Sequence, residues 1–234
     1  MDSNLSVRFS GANWFPQDNE KVVIGGAGGI GSWLALLIAR IGFEIYLVDF
    51  DRVEMHNIGG QFFKVDDVGM YKTESVNKSI EELCGGSINT INERVERDFQ
   101  YGTSFMFSAF DNMQARKNLF KSWKDKVNEP YIKTPIFIDG RLTMEQLQIF
   151  CVTKENMDLY EREYLFNDSE VEDVACTTKQ TSHSAAMIAS HMVGFFTSHI
   201  ANIHEGAKHR SIPFKYEYFI PCDLTISDYH ESIQ

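Results

Sequence analysis

Three glycines with GxGxxG spacing, Gly26, Gly28 and Gly31, are the residues of this 234-residue sequence with the clearest chemical meaning. Residues without side chains let the backbone approach phosphate oxygens, and a helix that begins there offers unpaired N–H groups and the positive end of its dipole. Asp49 and Asp51 follow the second apolar run after the glycines, where an acidic side chain can accept hydrogen bonds from ribose hydroxyls. The spacing indicates nucleotide binding, but it does not distinguish a dinucleotide from ATP.

Two further side chains have the chemistry to act on phosphates. Lys72 begins a stretch with helical periodicity, and its ammonium group is predicted to face back towards the nucleotide. Asp111 follows the short apolar run 104–109, and the carboxyl end of a parallel strand is where open α/β sheets bind ligands. Asp111 is therefore a candidate magnesium ligand. The structural alternatives are a solvated lysine, a solvated loop aspartate and a glycine turn that only packs a helix on its strand.

The elements that must position these residues alternate between strands and helices. Short apolar runs predict strands over 21–24, 43–48, 87–95, 104–109, 135–139, 147–152, 214–220 and 224–226. Helical periodicity predicts helices over 32–41, 72–83, 113–127 and 182–203, and Gly140 with Arg141 is expected to separate two strands. This order predicts an α/β fold: a Rossmann-like three-layer sandwich with a mostly parallel central sheet and additional antiparallel strands toward the C-terminus.

The chain is expected to form one domain with a short arm. Residues 1–20, which include Arg8, are predicted to be an N-terminal arm that covers a sheet edge, and 21–234 a single domain. The acidic segment 153–175 is predicted to be a crossover, although the spacing of Tyr160 and Tyr164 allows one or two helical turns.

Composition narrows the classes of partner. The chain has 33 acidic residues against 22 Lys plus Arg, a formal net charge of −11, which argues against a nucleic-acid backbone or an anionic membrane as main partner. The cysteines are far apart and form no CxxC pair, so a local zinc site or a disulfide framework is not expected; they are Cys84, Cys151, Cys176 and Cys222. Without a long apolar run or a signal-peptide pattern, the protein is expected to be soluble and cytoplasmic.

Taken together, the motifs resemble those of the ThiF/MoeB/ubiquitin-activating superfamily of adenylating enzymes. The matching residues lie between about 20 and 205: GAGGIGS at 26–32, DFDRVEMHN at 49–57, Gln61, Lys72, Asp111-Asn112 with Arg116, and Cys176-Thr177. FIDGR at 137–141 resembles compact phage and plasmid versions. Members of this family bind Mg-ATP and adenylate the C-terminal glycine carboxylate of a small ubiquitin-fold protein, with release of pyrophosphate.

The resemblance implies a role for individual residues. The implied nucleotide-binding residues are Gly26, Gly28, Gly29, Gly31, Asp49, Asp51, Asn57, Gln61, Lys72 and Asn112. Lys72 would neutralise phosphate charge during transfer, and Asp111 would hold the metal. Cys176 aligns with a cysteine that carries the activated protein as a thioester in some members, while a buried structural cysteine is the alternative. The implied cofactors are ATP and Mg²⁺, and the implied partners are a ubiquitin-like or sulfur-carrier-like protein or peptide and a second copy of the chain in a homodimer.

Two departures from the family pattern keep other functions open. Gly60 stands where the family has an arginine directly before Gln61, and no segment matches the family's second arginine motif; Arg8 or Lys64 would have to replace them. One alternative is therefore a binding protein that kept the fold without catalysis. A tRNA-modifying dehydratase of the same superfamily is disfavoured by the acidic charge. A nicotinamide-dependent oxidoreductase would leave Gln61, Lys72 and Asp111 without a joint explanation.

Overall fold

A mixed β-sheet organises the computed structural model, which describes residues 10–16, 20–130, 132, 134–143, 145–166, 181–205 and 210–229. Its strands are β1 (Lys21–Gly25), β2 (Glu44–Val48), β3 (Asn89–Ile91), β4 (Phe105–Ser108), β5 (Ile136–Thr143), β6 (Gln146–Val152), β7 (Lys215–Phe219) and β8 (Leu224–Asp228). They lie in the order β3-β2-β1-β4-β5-β6-β7-β8. Strands β1 to β5 are parallel to one another, and β6, β7 and β8 are added antiparallel.

Helices cover both faces of the sheet and complete three layers. They are α1 (Gly29–Ile41), α2 (Lys72–Cys84), α3 (Met113–Val127), α4 (Met157–Tyr164) and α5 (Ser182–Glu205). One core includes Leu34 of α1, Ile80 of α2 and Phe196 of α5. The core on the opposite face includes Trp123 of α3 and Tyr160 of α4. The predicted Rossmann-like sandwich with antiparallel strands toward the C-terminus is confirmed.

The strand order creates a crevice where the sheet topology reverses. From β1 the chain passes to β2 and β3 on one side and then returns to β4 on the other side of β1. The carboxyl ends of β1 and β4 therefore border the crevice in which open α/β sheets bind ligands. The two ends are joined directly, because the Ala109 N–H donates to the Gly25 carbonyl at 2.8 Å.

The fifth strand extends further than the sequence predicts, to Thr143. Gly140 and Arg141 lie inside β5, paired with Ile149 and Gln148 of β6, so the prediction that they separate two strands is wrong. A Cβ atom at position 140 would lie 2.5 Å from the Met192 sulfur of α5. The glycine thus permits a close helix–sheet contact rather than a turn.

Other boundaries differ for reasons of packing. Helix α1 begins at Gly29, three residues before the predicted start, because its packing overrides the poor helix propensity of glycine. Strand β3 is shorter than predicted, since it pairs only with the last three residues of β2, Tyr46–Val48.

The predicted crossover contains a helix in its described part. Helix α4 confirms the helical alternative for the spacing of Tyr160 and Tyr164. Cys176, the remainder of the crossover beyond 166, and Arg8 lie outside the described residues. Within the described part of the chain, none of the helices combines the length and hydropathy needed to cross a bilayer.

Candidate functional site

The glycine loop between β1 and α1 is shaped by two close backbone contacts and one open position. Gly26 has φ +91°, and a Cβ there would lie 2.8 Å from the Ala109 carbonyl oxygen. A Cβ at Gly31 would lie only 1.8 Å from the Gly26 carbonyl oxygen. In contrast, no atom of the described residues lies within 4 Å of a Cβ built on Gly28, the N-cap of α1. The loop therefore leaves an open cradle in front of a helix N-terminus, the arrangement that suits phosphate oxygens.

Asp49 fastens this loop to the end of β2. Its Oδ2 accepts the N–H of Ala27 at 2.7 Å, and its Oδ1 accepts the N–H of Asp51 at 2.8 Å. Burial raises the pKa of Asp49, although the two N–H groups and the charge of Lys72 act in the opposite direction. Each carboxylate oxygen has a second lone pair, so Asp49 can hold the loop and still accept a hydroxyl from a ligand.

Lys72 is held at the end of β2 by Asp51. The lysine side chain is 10% exposed, and its Nζ lies 2.8 Å from Asp51 Oδ2. Its backbone N–H donates to the Asp51 carbonyl at 2.9 Å, and the Val53 N–H donates to the Met70 carbonyl at 2.9 Å, so the two segments run side by side. The ammonium group lies near the loop, but it is paired with a carboxylate, and a bound phosphate would have to share it with Asp51.

Gln61 lies beside the N-terminal part of α1. The next residue, Phe62, donates its N–H to the Ser32 hydroxyl at 3.1 Å, and its ring packs on Trp33 with 4.6 Å between centroids. The Oε1 atom of Gln61 is buried, and within the described part of the chain it has no hydrogen-bond partner. Buried polar atoms are nearly always hydrogen-bonded, so this amide is suited to a ligand.

Asn57 shapes the loop that carries Gln61. Its Oδ1 accepts the N–H of Glu54 at 2.8 Å, and its carbonyl accepts the N–H of Gln61 at 2.9 Å. These bonds give Asn57 a structural task, and its contact with a nucleotide stays a prediction.

The residues predicted to replace the missing arginine supply little charge here. Lys64 forms an ion pair with Glu82 of α2, so its charge is directed to that helix. Arg8 lies outside the described residues. Lys64 is the one lysine or arginine in the described loop 57–64, and this loop therefore offers a phosphate no further cation.

Asp111 and Asn112 form the corner between β4 and α3. Asn112 is the N-cap of α3, because its Oδ1 accepts the N–H of Ala115 at 2.8 Å. Asp111 is exposed, and its Oδ1 lies 3.4 Å from Asn112 Nδ2. The described residues contain no group of three or more His, Cys, Asp or Glu side chains able to hold a metal. A single exposed carboxylate still fits Mg²⁺, which proteins commonly hold through one or two carboxylates plus substrate phosphates.

A buried charged cluster behind this corner was not predicted from the sequence. Asp139 of β5 is fully buried and accepts from Arg116 Nε at 2.7 Å, Arg141 Nε at 2.7 Å and the Tyr160 hydroxyl at 2.8 Å. Burial acts to raise the pKa of Asp139, but the charges of Arg116 and Arg141 outweigh it and lower that pKa. The available signal was an acidic and a basic residue two positions apart in the apolar run FIDGR.

The structure brings several of the predicted residues to one edge of the sheet. Asp49 bonds to the glycine loop, Lys72 bonds to Asp51, and Gln61 adjoins the first turns of α1. Asp111 follows β4, which borders the same crevice, but it makes no hydrogen bond to these residues within the described part of the chain. A cradle, an acidic acceptor and a cation at one crevice can bind a nucleotide phosphate and ribose.

Fold and site together define a Rossmann-like α/β protein with a glycine-rich loop at the topological switch point. The model of the ThiF family matches residues 17–218, and the chain belongs to that family.

Curated relatives match short parts of the chain. Ubiquitin-like modifier-activating enzyme 5 of Arabidopsis thaliana is 40% identical over 63 residues, which cover 26% of this chain and 15% of the relative. The tRNA threonylcarbamoyladenosine dehydratase 2 of Saccharomyces cerevisiae is 34% identical over 92 residues, which cover 38% of this chain and 21% of the relative. The matches thus span a small part of the length of these relatives.

Solved structures match over nearly the whole chain. Escherichia coli MccB with AMPCPP and MccA has a TM-score of 0.70 at 18% identity, and the match covers 99% of this chain and 73% of that chain. PaaA has a TM-score of 0.63 at 21% identity, with 90% of this chain and 64% of that chain covered. At these identities the likeness shows a shared fold.

Proposed function

We propose that this chain is an ATP-dependent adenylyltransferase that activates the C-terminal carboxylate of a small ubiquitin-like or sulfur-carrier-like protein or a peptide. The observation that carries the proposal is the open cradle at Gly28, with Asp49 and Lys72 held at the same sheet edge. Membership of the ThiF family supports the choice of ATP over a dinucleotide. The solved structures of MccB with ATP and with AMPCPP plus MccA support a nucleotide and a peptide as ligands of this fold.

The reaction would join two ligands at the crevice. A carboxylate oxygen of the acyl partner attacks the α-phosphorus of ATP, the bond to the bridging oxygen of the β-phosphate breaks, and pyrophosphate leaves with the electron pair. The N-terminus of α1 would hold phosphate oxygens, and Asp49 would orient the ribose. The ammonium group of Lys72 would be shared between the Asp51 carboxylate and the phosphate oxygens. Such transfers depend mainly on positioning and fixed positive charge.

Magnesium fits the corner that carries Asp111. The carboxylate is exposed and lies beyond the end of β4, so it is accessible to a metal bound to ATP. Mg²⁺ would supply charge neutralisation of the phosphates when it is bound there. Asn112 would act on this corner by capping α3.

The remaining expectations belong to the same proposal. They are a single adenylation domain over 21–234, a homodimer, and a thioester on Cys176, which lies outside the described residues.

A second candidate, a non-catalytic nucleotide- or protein-binding relative, is favoured by three observations. Gly60 replaces the arginine, Asp51 neutralises Lys72, and Lys64 pairs with Glu82.

Calorimetric titration with ATP, with and without magnesium, tests the proposal. We expect Mg-dependent ATP binding by the wild type, loss of that dependence in Asp111→Asn, and no binding of NAD. Asp125→Asn is the matched control, because Asp125 is exposed on α3 and pairs only with Lys121 among the described ion pairs.

Catalysis requires a second measurement. Exchange of labelled pyrophosphate into ATP in the presence of the acyl partner is expected for an adenylyltransferase. ATP binding without exchange would favour the non-catalytic relative, and failure to bind ATP with magnesium present would refute both the site and the proposed reaction.

A further inference from the structure

The buried carboxylate of Asp139 connects two parts of the molecule that are remote in sequence. It accepts hydrogen bonds from Arg116 of α3, Arg141 of β5 and Tyr160 of α4. Asp139 is at the carboxyl end of the parallel portion of β5, opposite Ser108 of β4. The cluster therefore lies just behind the crevice edge of the sheet.

On one side, Arg116 holds the corner that carries Asp111. Its second guanidinium nitrogen donates to the Phe110 carbonyl at 2.6 Å, one residue before Asp111. The Phe110 ring lies against the start of the glycine loop, since a Cβ built on Gly25 would be 2.6 Å from that ring. The corner is thus held between the glycine loop and Arg116.

On the other side, Arg141 holds α4. It donates to the Tyr164 carbonyl at 2.9 Å, at the last residue of the helix, and its guanidinium lies 4.7 Å from the centroid of the Phe150 ring. In the sequence, α4 precedes the segment that contains Cys176. A single carboxylate therefore orients two arginines that serve different elements.

Burial makes this arrangement costly to alter. Buried charges are retained only when they are paired and hydrogen-bonded. The Arg116 side chain is 6% exposed and the Arg141 side chain is 13% exposed. With Asp139 in place, both guanidinium groups have a fixed partner. Without it, each would turn towards other acceptors, and the contacts with Phe110 and Tyr164 would loosen.

We propose that Asp139 is a positioning residue, which through Arg116 fixes the Phe110–Asp111 corner for metal-bound nucleotide and through Arg141 fixes α4. The nucleotide part of this inference rests on the proposed function. The positioning of the two elements can be measured without any ligand.

Two charge-conserving variants separate the effect on the Asp111 corner from the effect on α4. Arg116→Lys keeps a cation for Asp139 but cannot bond to both Asp139 and Phe110 in the same way. Arg141→Lys likewise keeps a cation for Asp139 but cannot bond to both Asp139 and the Tyr164 carbonyl in the same way. Hydrogen exchange followed by mass spectrometry is expected to show faster exchange over 109–116 in Arg116→Lys and over 157–164 in Arg141→Lys. Asp139→Asn is expected to accelerate exchange in both peptides.

Calorimetric titration with ATP distinguishes the proposed role from a purely structural one, because only a role in positioning Asp111 would make the loss of ATP affinity depend on magnesium. Arg116→Lys is expected to weaken ATP binding with magnesium by about 10- to 100-fold, the range typical of groups that orient metal ligands. Binding without magnesium should change by less than about twofold, and Arg141→Lys should match the wild type in both titrations.

The outcomes are distinguishable. Wild-type exchange rates in both peptides of folded Asp139→Asn, or in both peptides of the two lysine variants, would overturn the positioning role of Asp139, and so would an equal loss of ATP affinity with and without magnesium in Arg116→Lys. If the wild type binds no ATP but the peptides respond separately, the proposed function fails and the positioning role of Asp139 stands. If Asp139→Asn does not fold, the two lysine variants still decide the outcome.

Discussion

Two glycines three residues apart should respond in opposite ways to the same added methyl group. In Gly31→Ala the new Cβ would lie 1.8 Å from the Gly26 carbonyl oxygen, whereas in Gly28→Ala it would meet no atom of the described part of the chain within 4 Å. We therefore expect Gly31→Ala to destabilise the fold and Gly28→Ala to leave the fold intact while weakening ATP binding. The pair separates the packing role of the loop from its binding role.

The magnitude follows from the distances. Real Cβ contacts rarely fall below 3.0 Å, so α1 must move away from Gly26 by about 1.2 Å in Gly31→Ala. Leu34 and Ile38 of α1 are fully buried and resist such a shift. Overpacking of this kind costs about 1–3 kcal/mol. For a domain of this size, the corresponding decrease in Tm is about 2–12 °C.

The effect of Gly28→Ala should appear in binding. The methyl group would occupy the cradle in front of α1, and we expect the Kd for ATP to rise at least about tenfold, or about 1.4 kcal/mol. Thermal denaturation and calorimetric titration of the same preparations give both quantities. Gly194→Ala is the control, because its Cβ also meets none of the described residues within 4 Å but lies on α5.

Two results would contradict the roles assigned to these two glycines. Wild-type ATP affinity in Gly28→Ala would mean that phosphate does not occupy the cradle. An unchanged Tm in Gly31→Ala would mean that the close approach of α1 to Gly26 does not constrain the fold.

The missing cation and the buried acid give two further predictions. Gly60→Arg places an arginine directly before Gln61, at a position whose φ is not positive. We expect the rate of pyrophosphate exchange to increase about tenfold or more, with Gly59→Arg as the control. No increase in that rate would contradict a catalytic role for the added charge. Because burial raises the pKa of Asp49 above 3.8, ATP affinity should decrease as the pH falls towards that raised pKa, since the protonated carboxyl loses acceptor capacity. Calorimetric titration with ATP at a series of pH values, from neutral down towards the pKa of Asp49, measures this decrease in affinity. The same pH dependence in Asp49→Asn would contradict a role for the Asp49 carboxylate in binding ATP.

Much of the fold could be predicted because its signals are local. The glycine spacing, the apolar runs of β1 and β2 and the periodicity of α2 lie within short segments, where strand and helix repeats differ. The same signals predicted α3 over Met113–Val127 with its observed bounds. Boundaries failed where packing overrides propensity, as at Gly29, the first residue of α1.

The sequence by itself therefore determined the fold class, the family resemblance and the residues to consider for a nucleotide site. Tertiary structure decided that Gly140 lies inside β5 against Met192, that Lys72 is paired with Asp51, and that Asp139 joins two arginines. These features depend on contacts between residues far apart in sequence. Local periodicity does not encode such contacts, because burial and charge pairing arise only when the sheet and its helices pack together.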